Sequence, residues 1–311
     1  MRPPAFEEAA NLRQRVRAAG LDPDHWYAVE YARALRPGAT VATRFWGAPI
    51  ALRRASNGTV SAHEDRGEGR PYPVRRRYGL VWVFPGDPER AADVPLPEVP
   101  ELEGASPWAY VPIDFTWRAH HSMVIDNLCD LTHAHLHRRF TSFQPGRLLA
   151  SEADDTRVLL RYEARVGPLV RTAVPPSAMT ICYQYPYHWA SFEWSGIRGP
   201  IKYWTFLLPL DACTTRVFFV MSYDALRIPG LPFSLPRRLV RWALRTVQPV
   251  VRSLLEQDGV AREAEQAGYE AHWAQPVTEL NPAVSLLHRL TIRKWEAVLG
   301  RTATSPQAVT V

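Results

Sequence analysis

The sequence predicts an α+β fold, in which short β-rich runs lead into a long antiparallel meander bracketed by helices. Three observations predict it. The 311 residues suffice for one large domain or two modest ones, and 46% apolar with 22% charged residues excludes wholesale disorder. Runs with strand character end at Gly or turn residues, and stretches of helical periodicity flank the second half. No apolar run approaches the roughly 20 residues that span a bilayer, and the opening MRPPAFEEAANLRQRVRAAG lacks the apolar core of a signal peptide. A cytoplasmic location is expected.

In order, residues 5–19 read as a short helix, and WYAVEYA, ATVATRFW and APIALRRA as strands. Asn57-Gly58 predicts a type I′ hairpin, because both residues tolerate positive φ. YGLVWVF (78–84) is a further strand, and the Pro-rich 93–107 reads as an extended linker, with a domain boundary near residue 105. The predicted units are therefore 1–105 and 106–311. In the second, FTWRAH (115–120) is strand-like and 121–137 reads as one helix. Strands follow at 156–165, 169–174, 179–194, 200–209 and 214–224. Helices are expected at 235–255, interrupted or kinked by Pro249, at 256–270 and at 282–299.

Only three cysteines occur, at 129, 182 and 213, with no C-x-x-C pair. That excludes a disulfide scaffold, a four-cysteine zinc site and any cysteine-held iron–sulfur cluster. The formal charge of +6 comes almost wholly from arginine, and no basic run accompanies a recognisable nucleic-acid-binding module. No nucleic-acid partner is expected.

The densest polar chemistry is DNLCDLTHAHLH, residues 126–137. On a helix, His133 and His137 stand at i and i+4 on one side, with Asp130 one turn earlier on that face and His135 pointing elsewhere. Two imidazoles one turn apart can hold a divalent metal that needs a third, harder ligand. Asp258, in SLLEQDGVAREAEQ, is the best candidate, the alternative being an N-cap for the helix that follows. Two histidines and one carboxylate suit iron(II), leaving positions open for O₂ and substrate; zinc would accept the same set.

Here the sequence resembles the catalytic α subunits of Rieske non-haem iron oxygenases. DNLCDLTHAHLH looks like their Asn-x-x-Asp-x-x-His-x-(3 or 4)-His iron motif, and EQD at 256–258 like the segment bearing their ligand aspartate. WYAVEYARALRPG, GAPIALRRASNGTVSAHEDR and YPVRRRYGLVWVFPGDPE look like strands of their Rieske domain, so the likeness runs from about Trp26 to about His272. It implies a truncated Rieske-like β subdomain followed by a helix-grip (START-like) catalytic domain with an antiparallel sheet. It implies that His133, His137 and Asp258 ligate a mononuclear Fe(2+), and that Asp130 is the carboxylate passing an electron from a neighbouring subunit's cluster. Asn127 would sit beside the metal without firm ligation. Many members have one more residue between the histidines; here that position is Arg138, which cannot ligate because it stays protonated, and His135 is the substitute for His137.

The departure from the family is local and large. Where its members carry C-x-H and then C-x-x-H, Arg66 is joined to Tyr72 by GEGRP alone, and no cysteine precedes residue 129. A Rieske centre needs two cysteines and two histidines, so no own [2Fe–2S] cluster is expected. The resemblance then implies oxygen-dependent hydroxylation, demethylation or desaturation of a small hydrophobic substrate, as a monooxygenase or dioxygenase. Electrons would come from a reductase, a ferredoxin or a cluster-bearing paralogue, and the assembly would be a homo- or hetero-trimer. The alternative is a cluster-less pseudoenzyme serving as ligand-binding or partner subunit of a complete oxygenase; a deletion variant without functional message is a third reading.

Alternation in TICYQYPYHWASFEW puts Ile181, Tyr183, Tyr185 and Tyr187 on one strand face, with Cys182, Gln184 and His188 on the other. Trp204, Phe206 and Phe218 are candidate cavity-lining residues under the helices. In LPRRLVRWALRTVQPVVRSLL, five arginines accompany an expected apolar stripe of Leu239, Ala243, Val247 and Leu254. That pattern fits either peripheral contact with an anionic membrane or a helix covering the sheet. His120 and His121 are candidates for supporting the metal ligands, or for a surface role.

Overall fold

A computed structural model describes residues 2–65, 69–104, 106–137, 144–165, 176–193, 200–224 and 236–304. After α1 (Leu12–Arg17) come β1 (Tyr27–Tyr31), β2 (Thr40–Phe45), β3 (Ala48–Arg54), β4 (Val60–Glu64), β5 (Pro71–Tyr72), β6 (Val74–Arg77) and β7 (Leu80–Val83). They form two small antiparallel sheets, β1-β7-β6 and β2-β3-β4-β5. Then follow β8 (Ala109–Trp117), α2 (His121–Cys129), a 3₁₀ turn (Leu131–Leu136), β9 (Gln144–Ala153), β10 (Arg157–Arg165), β11 (Ser177–Gln184), β12 (Tyr187–Glu193), β13 (Pro200–Asp211) and β14 (Thr214–Tyr223). These seven strands make one antiparallel sheet in the order β8-β14-β13-β12-β11-β10-β9. Two helices, α3 (Arg237–His272) and α4 (Pro282–Thr304), close the chain. The α+β class stands, with helices packed on an antiparallel sheet.

The two faces of the large sheet do different work. Tyr183 Oη lies 3.3 Å from Thr291 Oγ1 of α4, so its row faces the helices. Directly opposed residues in an antiparallel ladder share a face. The register Tyr183–His188–Thr205–Phe219–Ile113 therefore lines the helix side. His188 thus stands with Tyr183, not opposite it: the Tyr185-Pro186 turn splits the expected 179–194 strand and resets the alternation. Trp204, Phe206 and Phe218 point the other way. Phe206 meets Trp82 at 4.9 Å, Trp204 Nε1 donates to Glu101 at 2.9 Å, and Phe218 meets Tyr31 at 5.3 Å. They seat the small sheets and do not line a cavity under the helices.

Several local expectations change for identifiable reasons. The predicted strand at 169–174 lies outside the described residues, and β9 was not foreseen. The loop after β3 is not type I′: Gly58 N–H donates to Ala55 and only Gly58 has positive φ (89°), giving a type I turn closed by a left-handed glycine. Two-residue loops with both φ positive occur instead at Trp46-Gly47 and Tyr78-Gly79. The left-handed cost at each aromatic is offset by docking, since Trp46 packs edge-on against His120 and His121, and Tyr78 Oη binds Pro97 and Glu103. The Pro-rich 93–107 is a packed strap, not a solvated linker: Leu96, Val99 and Leu102 are buried, and Glu101 pairs with Lys202 at 2.7 Å.

The two helices expected at 235–255 and 256–270 are one continuous α3 that passes through Pro249. Its buried stripe is Val240, Leu244 and Leu255, one position off the expected one, leaving Leu239 and Trp242 exposed. α3 runs along β8, and Gln248 Nε2 donates to the Pro112 carbonyl there. The division near residue 105 remains a proposal, because the main apolar core extends from Leu21 to Leu290 and a smaller cluster packs α1 on α4 through Val16 and Ile292.

Candidate metal centre

The site begins where α2 ends. Asp130 leaves the helix with extended backbone (φ −103°, ψ 109°), and its carboxylate accepts from Thr132 N at 2.8 Å. A short polar side chain that binds the backbone two residues on competes with helix propagation. The chain restarts as a 3₁₀ turn, so 121–137 is not one α-helix. At 3.0 residues per turn, positions four apart diverge by ~120°. His133 and His137 face each other only because His137 has already left the turn (φ −84°, ψ 60°). The structure therefore reaches the expected pairing by a route that helical spacing did not foresee.

Asp258 comes from the middle of α3, which rules out the N-cap alternative. Its helix can approach because of Gly259, where a Cβ would sit 2.5 Å from Trp117 Nε1 at the end of β8. Asp258 Oδ1 lies 3.4 Å from His133 Nε2 and 3.3 Å from His137 Nε2, and one donor atom from each residue falls within 4.8 Å of the others. His137 and Asp258 are buried and His133 is half-buried, whereas His135 is exposed and outside the group. Despite those distances, Asp258 Oδ1 is buried and accepts no hydrogen bond, and His133 Nδ1 is buried without a partner. A buried carboxylate oxygen left without donors is costly, and a divalent cation between it and two imidazoles removes that cost. Burial pushes the His137 imidazole below its ordinary range, with Asp258 pulling it partly back, which favours the neutral form whose lone pair binds metals. The donor set fits iron(II).

The other expected residues are placed differently. Asp130 is not part of the cluster: its Oδ1 also accepts from Asn281 Nδ2 at 2.7 Å, turning the carboxylate towards the start of α4. Asn127 is buried and its Oδ1 has no hydrogen-bond partner. His120 and His121 both reach the Ala19 carbonyl, at 3.1 and 3.0 Å, and tie α2 to the segment after α1. Burial pushes His121 down to about 4 and His120 well below its ordinary value.

A supporting network beneath α2 was not read from the sequence. Asp126 accepts from Arg17 Nη2 at 2.6 Å and lies 2.9 Å from His288 Nε2, joining α1, α2 and α4. Burial alone would raise this carboxyl, but His288 and Arg17 prevail and hold it down to about 2. The partners are separated by up to 162 positions in the chain, so no local spacing signals them.

Two histidines from a 3₁₀ turn and one carboxylate from a helix thus meet over an antiparallel sheet as a donor set that could hold a divalent metal. Residues 117–299 match the vanillate O-demethylase oxygenase C-terminal domain family. The chain is 34% identical to 4beta-methylsterol monooxygenase of Methylococcus capsulatus, covering 92% of this chain and 91% of that protein. It shares 36% identity over 94 residues with a vanillate O-demethylase oxygenase subunit of a Pseudomonas species, covering 30% and 26%. In fold, it resembles dicamba monooxygenase bound to dicamba (TM-score 0.67, 17% identity, 92% of this chain and 100% of that one). The chain belongs to the Rieske non-haem iron oxygenase α subunits, in the branch with the vanillate O-demethylase C-terminal domain.

Proposed function

We propose that this chain is an O₂-dependent oxygenase subunit acting at a mononuclear iron held by His133, His137 and Asp258. The observation that carries the reading is the convergence of these three side chains, from the 3₁₀ turn and mid-α3, on a space where the buried Asp258 Oδ1 has no other donor. Bound iron(II) would supply the O₂-activating chemistry at that position. The reaction balances as RH + O₂ + 2 e⁻ + 2 H⁺ → ROH + H₂O, with both electrons from outside, because the sequence lacks the ligands of an internal cluster.

The chain's own residues bind and orient. The Asp258 carboxylate, next to the Gly259 that lets α3 lie close to Trp117, compensates charge in a buried setting. Asn127, buried with Oδ1 unpaired, takes the position beside the metal. Asp130, fixed by Thr132 and Asn281, is assigned to electron entry from a neighbouring subunit in a trimer. On the helix side of the sheet, Tyr203 and Phe219 stack at 4.8 Å beside His188, which meets the Leu128 backbone, and Thr205, whose Oγ1 is buried and unpaired. Aromatic walls with a few unpaired polar groups suit a hydrophobic substrate bearing one hydroxyl or carbonyl, such as a sterol or a phenolic ring. The electron partner is a reductase, a ferredoxin or a cluster-bearing paralogue.

The missing cluster ligands also support a second reading, a non-catalytic partner subunit of a complete oxygenase. A single-turnover assay separates the two. The iron(II)-loaded chain, a reduced ferredoxin and a 4-methylsterol probe are exposed to ¹⁸O₂. The expected product carries one ¹⁸O atom and is absent with Asp258→Ala. An iron-loaded chain that forms none with ferredoxin, reductase or paralogue as donor belongs to the second reading.

A further inference from the structure

The amino-terminal half of α3 meets the small sheets around a cleft of about 480 Å³ that no step above uses. Five arginines line it: Arg33 after β1, Arg54 at the end of β3, Arg76 on β6, and Arg241 with Arg245 on α3. No carboxylate residue is among its lining residues, which otherwise include Tyr31, Tyr78 and Tyr110. Among the described residues none of the five pairs with an acid. Arg54 and Arg76 reach only the carbonyls of Leu35 (3.1 Å) and Gly58 (3.3 Å), Arg33 covers the Tyr31 ring, and Arg54 Nε is buried without a partner. Elsewhere arginines near the interior are neutralised, as in Arg17–Asp126 and Arg216–Glu30.

The surrounding sequence deepens the imbalance. Residues 236–251, at the start of α3, contain four arginines and no Asp or Glu. Like charges gathered in one concave site repel one another unless a ligand of opposite sign enters, and the site concentrates such a ligand. Guanidinium forks match phosphoryl oxygens bidentately, and several around one cleft suit a group with at least two negative charges.

We propose that this cleft is a binding site for a phosphoryl group, separate from the candidate metal centre and independent of the reading made for it. The phosphoryl group has two possible sources. Trp242 and Leu239, 67% and 51% exposed, stand on α3 next to Arg241, where an anionic phospholipid could place its acyl chains while its headgroup enters the cleft. A soluble pyrophosphate-bearing molecule would use the arginines alone.

Titration calorimetry of the full metal-free chain with inorganic pyrophosphate, and sedimentation with phosphatidylglycerol–phosphatidylcholine vesicles, provide the test. The double variant Arg241→Gln/Arg245→Gln should weaken binding about tenfold or more, since each lost charged contact is worth roughly one such factor. Neither exposed arginine holds another part of the fold. Arg252→Gln, on the same helix but outside the cleft, removes one charge of the same sign and should leave binding unchanged. A His133→Ala background should bind normally, which separates this site from the metal centre. If vesicle binding alone is seen and falls with Trp242→Ala, the source is lipid. Saturable pyrophosphate binding that survives Trp242→Ala makes it soluble. No binding to either probe, or equal loss with Arg252→Gln, overturns the proposal.

Discussion

Asp126 shows how one residue sets the ground on which the metal ligands stand. Its carboxylate is buried between Arg17 and His288 and is held to about 2 against an ordinary value of 3.8. A carboxyl depressed in the folded state adds stability that is present above its unfolded value and lost as pH falls through the folded one. The shift corresponds to roughly 2 kcal/mol, so this contribution should vanish between about pH 4 and about pH 2. Asp126→Asn leaves Arg17 with Glu265, at 3.0 Å, as its remaining carboxylate partner and should cost about 2–3 kcal/mol, with the acid-side slope reduced, as read by urea unfolding across that range. Stability within about 1 kcal/mol of the parent would show that the network does not bear on α2. At this scale the sequence was partly legible. His133, His137 and Asp258 were named from a motif and an acidic residue in an apolar pattern, because the metal's requirements are local in chemistry. The Arg17–Asp126–His288 contacts were not, because they unite three helices distant in sequence. His188 was placed on the wrong face because alternation was carried through the Tyr185-Pro186 turn as if the strand were unbroken.

At the scale of elements, the centre depends on how closely α3 lies to β8. Gly259 permits that approach, and a methyl group there meets the Trp117 ring at 2.5–2.7 Å. Overpacking of a fitted contact typically costs ~1–3 kcal/mol and moves the backbone. Gly259→Ala should therefore lower the Tm and, by displacing the adjacent Asp258, weaken iron(II) binding more than it weakens the fold. A variant with parental metal affinity would show that α3 tolerates the shift. Element type was readable where periodicity was strong, as in α3 and α4, although the helix expected to be interrupted or kinked at Pro249 and the one after it are a single helix that runs through the proline along β8. Turn types were less readable. Asn57-Gly58 carried the expected signal yet formed a different loop, while Trp46 and Tyr78 adopt left-handed backbones that only their tertiary docking explains.

Across the whole molecule, the small sheets, the strap and the seven-stranded sheet share one apolar core. β4 and β5 pair directly, with Ala62 opposite Tyr72, and Gly69 is required because a Cβ there would collide with the Glu64 carbonyl. The alignment with the methylsterol monooxygenase extends over 344 positions, more than this chain contains, so that relative carries segments absent here. The absence of cysteine before residue 129 made one departure from the family's pattern visible in the sequence. It could not show that the small sheets close on the large sheet through Trp82, Tyr187 and Phe206. The central claim is an iron site kept without an internal electron donor. It is tested most directly by iron content and the optical spectrum of the full chain after anaerobic reconstitution. The account predicts about one iron per chain, as one two-histidine, one-carboxylate site requires, with no [2Fe–2S] absorption and loss of the iron in His133→Ala and Asp258→Ala. A folded chain that retains no iron, or equal iron in both variants, would contradict it.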